Sequence, residues 1–263
     1  MKMEKILVLG NKGTQGHVLE KYLKEKGYEV TRLNRNHIDA ENYYKLIQLI
    51  NLIKPEIIVN CIGILKPNSK NRFENAKINI GLPLVLADYC KDTGKKLIHL
   101  STNCIFADIG PHGEDEEPTA TDLYGMSKAF GEVNDGHNLT IRTSITGPEL
   151  KRGCNLFDWF VNQSSKEVTG FDNAHWSGVS TFQLAKFIEE CIEKDTKGLI
   201  NYYTKEATSK YDFLCMLNKL YDLKKEVKSE TREGVHSSLL MGEYFTDKTL
   251  EEQFKELKEW YKN

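Results

Sequence analysis

Tyr124 and Lys128, four residues apart in YGMSK, are the pair of side chains with the clearest chemical meaning in this sequence. On a helix that spacing puts both on one face. A phenol ordinarily ionises near pH 10, and a neighbouring ammonium stabilises its phenolate. The pair therefore predicts a tyrosine whose pKa is lowered by Lys128 and which acts as a general acid or base. Ser101 and Thr102 close the run IHLST about twenty residues earlier, where a hydroxyl at the end of a strand can hydrogen-bond a carbonyl oxygen. YxxxK alone is a common spacing; its weight here comes from a hydroxyl, a tyrosine and a lysine standing in order at the ends of expected elements.

A second constellation precedes these. Gly10, Gly13 and Gly16, with Thr14 and Gln15 between the last two, form GNKGTQG directly after the apolar run KILVL and at the start of a helical pattern. A tight turn without side chains lets the backbone approach a pyrophosphate, which the N–H groups and positive dipole end of the helix then bind. The spacing is GxxGxxG rather than GxGxxG. After the second expected strand, a carboxylate would accept hydrogen bonds from the ribose hydroxyls of NAD. VTRLNRN offers Arg32, Asn34 and Arg35 there instead. Guanidinium groups match a phosphate in charge and geometry, so the expected cofactor is NADP, with NADPH preferred over NADH.

The elements that must position these residues follow from the apolar pattern. Strands are predicted at 5–9, 28–33, 56–61, 96–101 and 139–143, and helices at 41–53, 75–93 and 123–133. The strands EIIVNC and LIHLS are unbroken apolar runs, as burial on both faces requires. The alternation predicts an α/β fold, a doubly wound parallel sheet of Rossmann type. Beyond about residue 145 the rhythm loosens, with helices expected near 155–164, 180–194, 208–222 and 247–261 and short strands at 167–170 and 198–203. Residues 1–150 are thus expected to form the NADP-binding domain, to which later segments can return. Residues 151–263 are read as mainly a smaller α/β substrate-binding lobe.

Composition narrows the remaining classes. The 36 basic and 38 acidic residues leave a formal charge of -2, which gives no sign of a nucleic-acid partner. Six cysteines, at 61, 90, 104, 154, 191 and 215, form no CxxC pair and no Cys/His cluster at zinc spacing, so free thiols and no metal are expected. No stretch reads as a signal peptide or a membrane span. A cytoplasmic protein is expected.

The residues quoted so far, together with VNCIGI, Asn79 in AKINIGLPLVLA, STNCIF, the acidic run before YGMSKAFGE, and IRTSITG, resemble the extended short-chain dehydrogenase/reductases. Within these they are most similar to the dTDP-4-dehydrorhamnose reductase group. The likeness covers residues 4–150 and, more weakly, 151–203 through CNLFDWF and HWSGVSTFQLAKFI. It implies that Thr102, Tyr124 and Lys128 form the catalytic set, with Lys128 also holding the nicotinamide ribose. It further implies that Asp39 lies against the adenine, that Cys61, Ile62 and Gly63 line the adenosine-pyrophosphate side, and that Asn79 supports the lysine. The expected substrate is a nucleotide-linked sugar, UDP- or dTDP-bound, with Thr102, Asn103, Cys104, Asn155 and Trp176 around it. Asn103 and Cys104 stand where the group commonly has Asp and Tyr, and Ile145 replaces a usual tryptophan, so the sugar's identity stays open, as does a homodimer.

Two other readings are carried beside it: a non-catalytic NADP-binding regulatory subunit of another enzyme, and a nucleotide-sugar epimerase or dehydratase. A regulatory subunit has no chemical need of Thr102, Tyr124 and Lys128. A dehydratase would call for an acid/base pair beside Thr102, where Asn103 and Cys104 stand. His99 is read as a core or cofactor-side residue, GEDEEP at 113–118 as a solvated loop, and the last fifteen residues as an amphipathic packing helix.

Overall fold

The computed structural model describes residues 4–151, 153, 155–234 and 238–262; Cys154, which opens CNLFDWF, lies outside them. In chain order the first half contains β1 (Lys5–Leu9), α1 (Gly16–Glu25), β2 (Glu29–Leu33), α2 (Tyr43–Ile53), β3 (Ile57–Asn60), α3 (Arg72–Asn75), α4 (Leu82–Thr93), β4 (Lys96–Leu100), β5 (Gly110–His112), α5 (Leu123–Phe130) and β6 (Leu139–Arg142). The second half contains β7 (Ile145–Thr146), α6 (Leu156–Val161), β8 (Glu167–Phe171), β9 (His175–Trp176), β10 (Val179–Ser180), α7 (Thr181–Glu193), β11 (Gly198–Thr204), β12 (Thr208–Ser209), α8 (Lys210–Tyr221), β13 (Glu226–Glu230), β14 (Ser238–Leu240), β15 (Tyr244–Thr246) and α9 (Leu250–Trp260).

Seven of these strands pair in parallel in the order β15-β11-β6-β4-β3-β1-β2. The expected α/β, doubly wound parallel sheet is present. It takes its last two strands from beyond residue 150. Alternation along β1 shows why its run must be apolar throughout: Ile6 and Val8 join one core with Leu19, Leu23, Phe187 and Phe254, while Leu7 and Leu9 join the other with Leu46, Ile50, Leu82 and Leu86. Side chains of period two thus feed two helical layers, one on each face. Strand order reverses between β1 and β3, and open sheets of this kind bind ligands in the crevice beyond the carboxyl ends at such a point.

Local differences from the sequence pattern have physical reasons. The helix expected over 75–93 starts at Arg72, capped by the Asn71 side chain, and runs as one rod whose middle, Ala76–Gly81, is wound as a π-helix before α4. Such turns are rare and often stand at functional sites, and this one contains the buried Asn79. Strand β13 (EVKSE) is solvated and polar, so it carries no apolar signal; its backbone pairing with β8 alone makes it a strand. Among the described residues no helix is long and apolar enough to cross a membrane.

Candidate active site

The turn after β1 is built from glycines because nothing larger fits. Gly10 has φ +80°, and a Cβ on Gly16 would stand 2.3 Å from the Gly10 carbonyl oxygen. α1 therefore starts directly against the turn, with Gly13 N–H donating to Gly10 O at 2.9 Å. This cradle, closed to side chains and opening on a helix amino terminus, fits a dinucleotide pyrophosphate. Gln15 donates through Nε2 to Thr181 O at 3.0 Å, which leaves its buried Oε1 without a protein partner. Thr14 donates to Glu149 Oε1 at 2.6 Å. A carboxylate from the segment after β7 thus stands on the turn that an anion would approach. No sequence motif announces it.

Across the crevice lies Cys61–Gly63, the turn after β3. Burial pushes the Cys61 thiol up to about 12, so it stays an uncharged wall. Asn79 clamps the residue that follows: Oδ1 accepts from Ile64 N at 2.8 Å, while Nδ2 donates to Ile64 O at 3.1 Å and to Ser127 Oγ at 3.0 Å. Asn79 thus bonds Ser127, the residue before Lys128, and among the described residues no hydrogen bond joins it to Lys128 itself.

Asp122 caps α5 by accepting the Gly125 N–H at 3.0 Å, and this helix carries Tyr124 and Lys128 to the carboxyl ends of β4 and β6. Thr102 accepts the Cys104 N–H at 3.2 Å, and its hydroxyl stands close enough to Tyr124 to pull the phenol's pKa down. The lowered phenol expected from the Tyr124–Lys128 spacing is not found. Burial raises Tyr124, the Cys104 sulfur raises it further, and the Thr102 hydroxyl only partly offsets both. Lys128 Nζ is turned away, donating to Leu100 O at 2.7 Å and standing 3.3 Å from His99 Nε2. Burial draws Lys128 down to about 8, against the pull of Glu132. Desolvation outweighs charge pairing here because both groups are buried in the floor of the crevice. A phenol raised in this way stays protonated at neutral pH and is ready to give its proton to an oxygen that gains negative charge.

On the adenosine side, the structure separates the two arginines. Arg32 Nη1 donates to Glu20 Oε1 at 2.8 Å, and Glu20 also accepts from Lys24 and from Asn11 Nδ2. Asn34 Nδ2 donates to Asn11 Oδ1 at 2.8 Å, so this polar chain tightens the strand end. Arg35 is exposed and forms no ion pair among the described residues. Asp39 is exposed and folded onto its own turn, accepting from Glu41 N at 3.0 Å. A cavity here is lined by Asn11, Lys12, Arg32, Asn34 and Leu150.

Of the expected sugar-side residues, Thr102, Asn103 and Cys104 come together with Tyr124. Lys66, raised chiefly by its bond to Asp122, and Lys210 at the start of α8, lowered by burial, both lie within electrostatic reach of Cys104. Lys210 has no sequence signal of its own, and the contribution of both lysines to this cleft becomes visible only in three dimensions. Trp176 Nε1 donates to Ser144 Oγ at 2.8 Å and its ring tilts on Phe213. The resemblance places Asn155 against the sugar nucleotide. Here its amide caps α6, with Oδ1 on Asp158 N and Thr146 Oγ1 and Nδ2 on Gly147 O and Glu149.

Over most of its length the chain is similar to known proteins. A family model described as RmlD substrate binding domain matches residues 3–239. A dTDP-4-dehydrorhamnose reductase of Streptomyces griseus is 30% identical over 131 residues, 48% of this chain and 43% of the relative, so the match spans less than half of that protein's length. Methionine adenosyltransferase 2 subunit beta of Danio rerio is 24% identical over 83% of this chain and 74% of its own. A crystal structure of dTDP-4-dehydrorhamnose reductase from Bacillus anthracis in complex with NADP shares the fold, with a TM-score of 0.81 at 22% identity over 91% of this chain and 90% of the other.

Proposed function

The chain belongs to the RmlD substrate binding domain family, and on that premise we propose that it reduces the 4-keto group of a nucleotide-linked 4-keto-6-deoxyhexose, with NADPH as reductant. The sugar is dTDP-4-dehydrorhamnose or a UDP-linked analogue, 2-acetamido sugars included. The observation that carries this reading is that Thr102, Tyr124 and Lys128 are all buried at the carboxyl end of β4, with the Thr102 hydroxyl close to the phenol. When bound, NADPH supplies the hydride. Thr102 and Tyr124 bracket the carbonyl oxygen, and Tyr124 gives it a proton as negative charge develops there. Lys128 holds the nicotinamide ribose, and the glycine turn holds the pyrophosphate. NADPH consumption that depends on an added keto sugar tests the reading.

A second reading, an NADP-binding subunit of another enzyme, has one observation in its favour: the Danio rerio relative, by name a subunit, matches over more of the chain than the Streptomyces reductase does. Against it stands the assembled Thr102, Tyr124 and Lys128 set, which regulation does not require.

Cofactor preference follows from the adenosine side. Because Arg32 is tied to Glu20, which it shares with Lys24, Arg35 is the guanidinium of the two that stands without an ion pair among the described residues and is left for the 2′-phosphate. A charge-assisted contact is worth about 1.5 to 3 kcal/mol, so NADPH is expected to bind at least about tenfold more tightly than NADH, and Arg35→Ala to remove most of that difference. Fluorescence titration of both cofactors measures it; equal affinities in the parent would contradict it.

Glu149 opposes the same ligand from the pyrophosphate side. Glu149→Gln keeps a hydrogen-bond acceptor for Thr14 and removes the negative charge, so NADPH affinity is expected to rise by about three- to tenfold at low salt, less as ionic strength screens the charge. Affinity that is unchanged at every salt concentration would show that the carboxylate already lies clear of the cofactor.

Trp176 is proposed to give the sugar an apolar face. Trp176→Ala is expected to impair keto-sugar kinetics while NADPH affinity stays within about threefold, roughly 0.7 kcal/mol. Joint loss of cofactor affinity and thermal stability, without a selective kinetic defect, would assign the ring to packing.

A further inference from the structure

His99 lies within β4, fully buried, with Asn60 of β3 as its registered neighbour. Asn60 Oδ1 accepts the Ile62 N–H at 3.1 Å, which turns its amide nitrogen to His99 Nδ1 at 3.2 Å. An amide nitrogen only donates, so Nδ1 is the acceptor, and the one proton of a neutral imidazole is on Nε2. Nε2 stands 3.3 Å from Lys128 Nζ. An ammonium has no lone pair to accept that proton; an amine has one, and still donates to Leu100 O at 2.7 Å. Each member of the chain Asn60, His99, Lys128, Leu100 is satisfied when Lys128 is neutral.

The other groups around Lys128 are consistent with this. From its own helix Tyr124 is neutral. From the segment after α5, Glu132 is the charge that favours the ammonium, yet it is already bonded to Arg142 of β6 through Nε and Nη2 and to the Ser101 hydroxyl. From β4 comes His99, whose charged form burial disfavours.

We propose that Asn60 and His99 are positioning residues that tie the protonation of Lys128 to the cofactor-binding segment at Ile62. In the amine form the chain runs as observed, and Asn60 holds the Ile62 N–H. In the ammonium form Lys128 donates to Nε2, His99 carries its proton on Nδ1, and the Asn60 amide turns over to accept it, which releases Ile62 N–H. The change takes up one proton: the Nε2 proton passes to Nζ and Nδ1 gains one from solvent. Ile62 belongs to the segment proposed to line the adenosine-pyrophosphate side, so a ligand that accepts from it favours the ammonium by linkage. The role of this coupling in turnover rests on the reductase reading; the coupling itself does not.

The test uses the cofactor-free full chain with 15N-labelled histidine, assigned through bonds from the backbone, and reads the His99 tautomer from about pH 6 to about pH 10. The expected result is a passage from Nδ1–H to Nε2–H with a midpoint near that of Lys128, about 8, and a single tautomer throughout in Lys128→Met. One tautomer across the whole range in the parent, or a midpoint that Lys128→Met leaves in place, would overturn the proposal. The parent's own titration decides if the variant does not fold. Neither sugar nor turnover enters the measurement, so its failure and the failure of the reductase reading are separate results.

Discussion

Tyr124→Phe is expected to keep the fold and NADPH binding and to lower keto-sugar turnover by about two to four orders of magnitude, the usual worth of a positioned acid. The substitution removes one oxygen. No buried charge is left unpaired. The ring remains packed in the floor of the crevice, so stability should change little. What disappears is the proton that a raised phenol keeps at neutral pH. Stopped-flow or steady-state NADPH oxidation checks this, with cofactor titration as the control for binding. A variant as fast as the parent would remove Tyr124 from the mechanism, and the subunit reading expects no turnover in either protein.

Glu132→Ala is expected to have the largest effect on stability. Glu132 and Arg142 form an ion pair with both side chains almost wholly buried, 6% and 4% exposed. Glu132 also receives the Ser101 hydroxyl, next to Thr102. Removing the carboxylate leaves the guanidinium buried and uncompensated, which costs about 3–5 kcal/mol, whereas the exposed Lys66–Asp122 pair is worth about 1 kcal/mol at most. For a chain of this size the melting temperature should fall by about 10 °C. Glu132→Ala with Arg142→Met should recover much of the loss, because no charge is then stranded. Unchanged melting of the single variant would show that the pair is not buried in solution.

The difference between these two effects reflects how the site was legible in the sequence. The central strands, the glycine turn and the order of Thr102, Tyr124 and Lys128 all follow from local pattern, because apolar runs, side-chain-free turns and helical spacing are properties of neighbouring residues. The relations that failed are those that depend on burial and on distant partners. The sequence spacing predicted that Lys128 would lower Tyr124; in the folded site desolvation controls both, and Lys128 points to His99 and Leu100. Arg32 looked like half of a phosphate site until Glu20, twelve residues earlier, was seen to hold it. The bond of Asn79 to Ser127 and that of Thr14 to Glu149 have no local signature, since each joins residues far apart along the chain. His99 reads as an ordinary core histidine until Asn60 and Lys128 are placed on either side of it.

The decisive assay of the proposed reduction follows NADPH oxidation at its absorbance against a small panel of UDP- and dTDP-linked 4-keto-6-deoxy sugars. At least one member is expected to be reduced at C4 with one NADPH consumed per keto group, and the same sugar to be left essentially untouched by Tyr124→Phe. NADPH that binds but is not consumed with any member of the panel would contradict the proposed reduction.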